Sequence, residues 1–119
     1  MCHNTYMAYL RKYCGNILLE INNNKIREYC GQIRYELDGN NVRIYCGRCI
    51  YTIDGDNIRE YCGPIKLTFD GKYLRRYCGP ILYEVSNDKI RQYCGPILYE
   101  INGFLTRKEL MFLLAVMYM

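Results

Sequence analysis

Residues 48–63 have the sequence Arg-Cys-Ile-Tyr-Thr-Ile-Asp-Gly-Asp-Asn-Ile-Arg-Glu-Tyr-Cys-Gly, and this pattern decides the fold. Its closing triplet, Tyr-Cys-Gly, recurs at the same interval of 16 residues, without insertion or deletion, at 13–15, 29–31, 45–47, 61–63, 77–79 and 93–95. A fixed internal period is the signature of a repeat protein. We number the positions of each repeat from 1, the residue after the triplet, to 16, its Gly.

The first half of each repeat has the pattern of a half-buried strand. Positions 2, 4 and 6 are apolar and position 5 is polar, as in Cys49, Tyr51 and Ile53 around Thr52. This alternation predicts a strand of about five residues. A turn follows at the Asp-Gly or Asn-Gly dipeptides, which Asn-Asn and Ser-Asn replace in two repeats.

The second half of each repeat predicts another strand. It begins with an apolar residue at position 11, continues with Arg at position 12, and reaches Tyr-Cys two residues later. Gly then ends it, followed in three repeats by Pro. Each repeat is therefore strand, turn, strand, turn. Residues 1–15 fit a degenerate leading repeat.

Two all-β architectures accommodate this pattern. In a β-solenoid of about six 16-residue coils, with two short strands per coil, like positions stack on one another. In an antiparallel β-hairpin meander, each repeat is one hairpin of a sheet. Both bury the same apolar positions. The constant repeat length favours the solenoid, because an extra residue would put a coil out of register with both neighbours.

The chain departs from the repeat after Gly103. Thr106-Arg107-Lys108-Glu109 is a capping box that predicts a helix, so we divide one domain into 1–15, the repeats 16–103, and a capping and dimerisation helix 104–119. A helix lying on a solenoid end buries only one face. We therefore expect a homodimer through the helix residues that cover its remaining directions, Leu110, Met111, Phe112, Leu113, Leu114, Val116 and Met117.

The repeat also carries a resemblance. The pattern Ile-x-Tyr-x-Ile-Asp-Gly-x-x-Ile-Arg, closed by Leu-Thr-Arg-Lys-Glu-Leu at 105–110, resembles a family of small bacterial tandem-repeat β-proteins. The resemblance covers nearly the whole chain. It implies a repeat fold with a C-terminal capping helix, and it implies no activity.

Composition indicates an ordinary intracellular domain. The chain has 119 residues, a net charge of +4 and 8 cysteines. Its first residues lack the pattern of a secretory signal, and the apolar run 110–119 is shorter than the roughly 20 residues that span a bilayer. We expect a cytoplasmic protein without a membrane span, in which the cysteines are thiols.

Arg, Tyr and Cys recur at positions 12, 14 and 15 of the repeat, and we call each set of like residues a ladder. Each ladder has a structural and a functional interpretation. The Tyr ladder is expected to pack ring on ring with its hydroxyls in water, and its other interpretation is stacking on nucleobases. The Cys ladder is expected to pack as small buried thiols, although disulfides between stacked cysteines stay open. The Arg ladder is expected to pair with carboxylates such as Glu20, Glu36 and Glu84, which are absent near Arg75. Its other interpretation is a stripe that binds phosphates. The ladder residues that would form this stripe are Arg27, Arg43, Arg59, Arg75 and Arg91.

Catalysis finds no support in the sequence. A catalytic group normally occupies one unique place, whereas the polar residues here have copies in other repeats. One Cys-x-x-Cys and a single His do not predict a zinc site. We therefore expect no enzyme, no cofactor and no metal, but a non-catalytic structural or protein-interaction protein with a rigid ladder surface. The alternative is a polyanion- or nucleic-acid-binding protein that uses the Arg ladder.

Overall fold

A computed structural model describes residues 7–118 of the chain. This part of the chain forms twelve strands followed by one helix. The strands are β1 Met7–Lys12, β2 Ile17–Asn22, β3 Lys25–Glu28, β4 Ile33–Asp38, β5 Asn41–Ile44, β6 Cys49–Asp54, β7 Asn57–Glu60, β8 Ile65–Phe69, β9 Tyr73–Arg76, β10 Ile81–Ser86, β11 Lys89–Gln92 and β12 Ile97–Asn102, and the helix is α1 Arg107–Tyr118.

The strands form one closed antiparallel barrel. Each pairs with its neighbours in sequence, and β1 closes the ring by pairing with β12, where Leu10 lies opposite Ile101. An all-β fold with a C-terminal helix is therefore confirmed. The solenoid is wrong, and the meander is the arrangement found. A solenoid would stack Ile26 on Val42, whereas Ile26 lies opposite Ile21 and Tyr35.

The turns explain this outcome. The loop between β2 and β3 consists of Asn23 and Asn24, with φ of 53° and 62°. Two-residue loops with positive φ join adjacent antiparallel strands. The other connection in each repeat carries a bulge, as between Ile26 and Arg27. In a closed barrel, repeats of equal length shift the strand register by the same amount at every hairpin. A constant repeat length is therefore as compatible with a hairpin barrel as with a solenoid.

The helix lies inside the barrel. Met111 to Ala115 are five consecutive residues, and each is 0–1% exposed. Five consecutive residues point in all directions around a helix axis, so walls must surround α1 on every side. Their side chains share one core cluster with wall residues such as Ile26 and Phe69. A barrel of twelve strands is wider than the eight-stranded barrels that side chains alone fill.

The placement of α1 corrects the expected end cap. The predicted capping box is confirmed, because Thr106 N–H donates to Glu109 Oε1 at 3.0 Å and Glu109 N–H donates to Thr106 Oγ1 at 3.2 Å. The predicted dimer relied on apolar side chains left in water. Those side chains are instead fully buried inside the chain at 111–114, and half-buried against the core at Leu110, Val116 and Met117. Homodimerisation therefore remains a prediction without its original support.

The two ends of the barrel differ. At the end that carries the Asp-Gly loops, Arg107 pairs with Asp56 and donates to the carbonyl of Phe69 at 2.9 Å. At the other end, Met117 and Tyr118 line a cavity of about 320 Å³. The helix thus runs from the Asp-Gly end to the end formed by the Tyr-Cys-Gly turns.

Within residues 7–118, no helix is long and apolar enough to cross a membrane.

Candidate functional site

The Tyr-Cys-Gly turns form an exposed rim at one end of the barrel. They join β1 to β2, β3 to β4, and so on around the ring. Their tyrosines are each 39–52% exposed. We call these side chains the rim tyrosines: Tyr13, Tyr29, Tyr45, Tyr61, Tyr77 and Tyr93.

The rim tyrosines do not stack on one another as expected for a solenoid. Neighbouring turns are separated by two strand spacings, about 10 Å. Two rings instead pack edge-on against tyrosines of the adjacent hairpin, Tyr29 against Tyr9 at 6.1 Å and Tyr93 against Tyr73 at 5.9 Å between ring centroids. The rim is therefore a ring of separate aromatic contacts, not a continuous stack.

In these turns the residue with a positive φ is the Cys and not the Gly. Each rim cysteine adopts a left-handed conformation with φ between 54° and 59°, which costs a non-glycine residue roughly 1–2 kcal/mol. The glycine is needed for a different reason. A Cβ on Gly31 would lie 3.1 Å from Cβ of Glu28, and one on Gly63 would lie 3.0 Å from Cβ of Glu60.

The cysteine ladder is exposed, so the expectation of buried packing thiols is wrong. Cys49 is half-buried and lies off the rim. Neighbouring rim cysteines are about two strand spacings apart, beyond the reach of a disulfide. Among residues 7–118, no three metal-ligating side chains converge, and His3 and Cys2 lie outside the described residues. The exposed rim cysteines are Cys14, Cys30, Cys46, Cys62, Cys78 and Cys94.

Two rim thiols influence the adjacent phenols. The pKa of Tyr29 is raised, chiefly because its phenolate would lie beside the negative charge of the Cys30 thiolate. The pKa of Tyr93 is raised by Cys94 for the same reason.

Arginines of the ladder donate hydrogen bonds to the backbone of the rim turns. The guanidinium of Arg27 donates twice to the carbonyl of Gly31, from Nε at 3.1 Å and Nη2 at 2.8 Å. Arg43 makes the same pair of bonds to Gly47 at 3.2 and 2.8 Å. Arg11 repeats the pair, and Arg59 and Arg91 bond through Nε to their own turns. Five of the six rim turns are therefore held by an arginine four residues before the glycine.

The carboxylates that accompany the ladder differ from those expected. Glu36 does lie opposite Arg43 in the strand register, but its ion pair is with Lys25 at 3.6 Å. Arg43 pairs instead with Asp38 at 3.4 Å, and Arg59 pairs with Asp54 at 3.7 Å. The aspartates belong to the Asp-Gly turns of the same repeats, so each arginine links its rim turn to the preceding loop.

Arg75 departs from this pattern. Its side chain is exposed, and within residues 7–118 it makes neither the bond to its turn glycine nor an ion pair. The residue opposite is Thr68. Asp70, the counterpart of Asp54, accepts instead from the N–H groups of Tyr73 at 2.8 Å and Lys72 at 2.9 Å. Those two bonds, and to a smaller extent the positive charge of Arg75, hold the pKa of the Asp70 carboxyl below its usual value.

Comparison of the chain with protein-family models, with curated proteins and with solved structures gives no match. The resemblance to bacterial repeat proteins therefore stays a prediction.

Proposed function

We propose that this protein is a non-catalytic protein-interaction module that binds a partner through its Tyr-Cys-Gly rim. The observation that carries the proposal is the ring of rim tyrosines, each 39–52% exposed at one end of the barrel. Tyrosine is enriched at protein interfaces, because it offers a large amphipathic contact area at a low cost in side-chain entropy.

The construction of the turns supports this proposal. In one turn, Tyr29 N–H donates to the carbonyl of Leu18 at 3.2 Å and Gly31 N–H donates to the carbonyl of Glu28 at 2.8 Å, while Arg27 holds the glycine carbonyl. The same bonds to backbone recur at the other rim turns. A surface that is already ordered loses little conformational entropy when it binds, so more of the contact energy appears as affinity.

The filled lumen supports the same proposal. Because α1 occupies the interior, the strands that carry the rim pack against a continuous core. Open cavities of about 270 and 320 Å³ lie at the two helix ends, among residues such as Arg107 and Tyr118. The exposed features of the barrel are therefore its outer wall and its two ends, and the rim is the more aromatic end.

The alternative, a polyanion-binding stripe along the whole Arg ladder, has less support. A phosphate needs N–H groups of the guanidinium that are not already bonded. Arg27 and Arg43 each direct two of theirs to a turn carbonyl, and Glu20 and Glu36 lie opposite them in the register. These carboxylates would repel a phosphate backbone running around the wall.

The proposal can be tested by affinity capture from an extract of cells that express the chain, with quantification by mass spectrometry. The test variant replaces Tyr61 and Tyr77 with Ser. The control variant is Phe104→Ser, which changes a side chain that is 66% exposed near the opposite end of the barrel. We expect proteins that the natural chain retains to be lost from the Tyr variant and kept by the control. Equal retention by both variants, or no protein above the bare matrix, would contradict the proposal.

A further inference from the structure

The repeat with the largest excess of positive charge is 64–79. The net charge is +4, and residues 64–79 contain four basic side chains against the single acid Asp70. Repeats 16–31, 32–47 and 80–95 each hold equal numbers of acids and bases, and 48–63 holds one more acid than bases. Residues 1–15 hold two bases, Arg11 and Lys12, and no acid. Long-range attraction for an anion therefore comes chiefly from the β8–β9 hairpin with the turn after it, and secondly from β1.

Within residues 7–118, Arg75 is the ladder arginine whose guanidinium donates no hydrogen bond. Its counterparts bond to a turn glycine, and two of them also pair with an aspartate. Thr68 lies opposite Arg75, as Thr52 lies opposite Arg59. The carboxyl of Asp70 accepts from the N–H groups of its own loop and interacts with Arg75 through charge, without a salt bridge. A guanidinium without these partners can direct two parallel N–H groups at a ligand. Their spacing fits the two oxygens of a carboxylate or a phosphate.

The surroundings of Arg75 add charge and aromatic surface. Lys66 and Lys72 flank the strand of Arg75, whereas Arg76 lies opposite Leu67 and so points to the other face of the strand. Tyr77, two residues after Arg75, is 52% exposed, the highest value among the rim tyrosines. Tyr77 N–H donates to the carbonyl of Lys66 at 3.0 Å, which fixes the turn to β8. Arginine and tyrosine are the side chains that most often contribute large binding energies at protein interfaces, together with tryptophan.

We propose that this surface binds an acidic peptide segment of a protein partner, which rests on the interaction function proposed above. A carboxylate of the segment is held by the Arg75 fork, and Tyr77 packs against the aliphatic part of the segment. We call the surface the Arg75 patch, defined by Lys66, Lys72, Arg75 and Tyr77.

Charge complementarity limits the length of the ligand. The two lysines of the patch already pair with acids of the flanking repeats, Lys66 with Glu60 at 3.5 Å and Lys72 with Glu84 at 3.7 Å. An anionic chain that extends beyond the patch therefore meets carboxylates on both sides. Nucleic-acid binding commonly draws on several phosphate contacts spread along the backbone. A short acidic segment can end within the patch, so an acidic peptide fits it better than a nucleic acid does.

The test is a fluorescence-anisotropy titration at low salt with a short labelled peptide of alternating Glu and Gly. The same peptide with Gln in place of Glu, and an oligo-dT of the same length, are the comparison probes. The test variant is Arg75→Gln. The matched control is Arg91→Gln, which removes a ladder arginine that already bonds to Gly95 at 3.2 Å. Thermal melting of both variants confirms that they are folded.

We expect saturable binding of the Glu peptide but not of the Gln peptide, weakened about tenfold by Arg75→Gln and less than about twofold by Arg91→Gln. No binding of the Glu peptide, or equal loss in both variants, would overturn the inference. Tighter binding of oligo-dT that depends on Arg75 would assign the patch to nucleic acid instead. The rim proposal is tested separately by affinity capture. Partner proteins that are lost from the Tyr variant but retained by Arg75→Gln would support the rim proposal even if the peptide does not bind.

Discussion

The position of α1 inside the barrel makes an alanine scan of four consecutive residues decisive. The scan replaces Met111, Phe112, Leu113 and Leu114 singly with Ala. Each is 0–1% exposed, and together they point along about 300° around the helix axis. Because every one of them loses buried contacts, each replacement should cost about 2–5 kcal/mol in the free energy of unfolding, with Phe112→Ala near the upper end.

Urea unfolding followed by circular dichroism measures these losses. Lys108→Ala serves as the control, since its side chain is exposed on the first turn and should change stability by less than about 0.5 kcal/mol. A helix lying on the outside of the barrel would show at least one of the four positions as nearly neutral. A helix buried in a dimer would make the unfolding midpoint rise with protein concentration. Either result would refute the placement of α1.

Further predictions concern the backbone, the arginine ladder and the thiols. Gly103→Ala should cost about 1–3 kcal/mol, because the new Cβ would lie 2.6 Å from the carbonyl oxygen of Met7, whereas Gly39→Ala meets nothing within 4 Å and should cost less; equal losses in thermal melts would contradict this. Arg27→Gln should lower stability by about 1 kcal/mol, since it releases a turn carbonyl, and Arg75→Gln should change it by less than about 0.5 kcal/mol. Brief alkylation of the native protein should label every rim cysteine, and reductant should leave the melting temperature unchanged; a fall in melting temperature would reveal a structural disulfide.

Local structure could be predicted from the sequence because it depends on neighbouring residues. The alternation around Thr52 specifies β6, the Asp54-Gly55 dipeptide specifies the loop, and Thr106 with Glu109 specifies the start of α1. The choice between coil and hairpin depends on which strands pair, and both arrangements bury the same positions. Closure depends on the pairing of β1 with β12, whose residues are far apart in sequence.

The sequence did indicate that the helix is buried on every side. A helix that is apolar in every direction is normally surrounded by protein. Leu110 to Met119 show that character, but a solenoid has no interior that could hold them, so the sequence led to a dimer instead. In a twelve-stranded barrel the same side chains fill the lumen.

The candidate site was less predictable than the fold. Cysteine is among the most buried residue types, so exposure of Cys30 and its copies contradicts the usual tendency. Their left-handed backbone conformation follows from the geometry of the hairpin, and the amino-acid sequence does not predict it. The exception at Arg75 could not be read from the sequence. Thr68 lies opposite Arg75, but Thr52 lies opposite Arg59 in the same way, and the carbonyl bonds that distinguish Arg59 from Arg75 depend on the folded turn.

The closed barrel itself is tested most directly by nuclear Overhauser contacts in solution. The structure predicts backbone contacts between β1 and β12, with Leu10 opposite Ile101, and between Ile26 and both Ile21 and Tyr35. A stacked solenoid would instead connect like positions of successive repeats, such as Ile26 with Val42. Contacts of the first kind would confirm the antiparallel closed ring, and contacts of the second kind without them would contradict it.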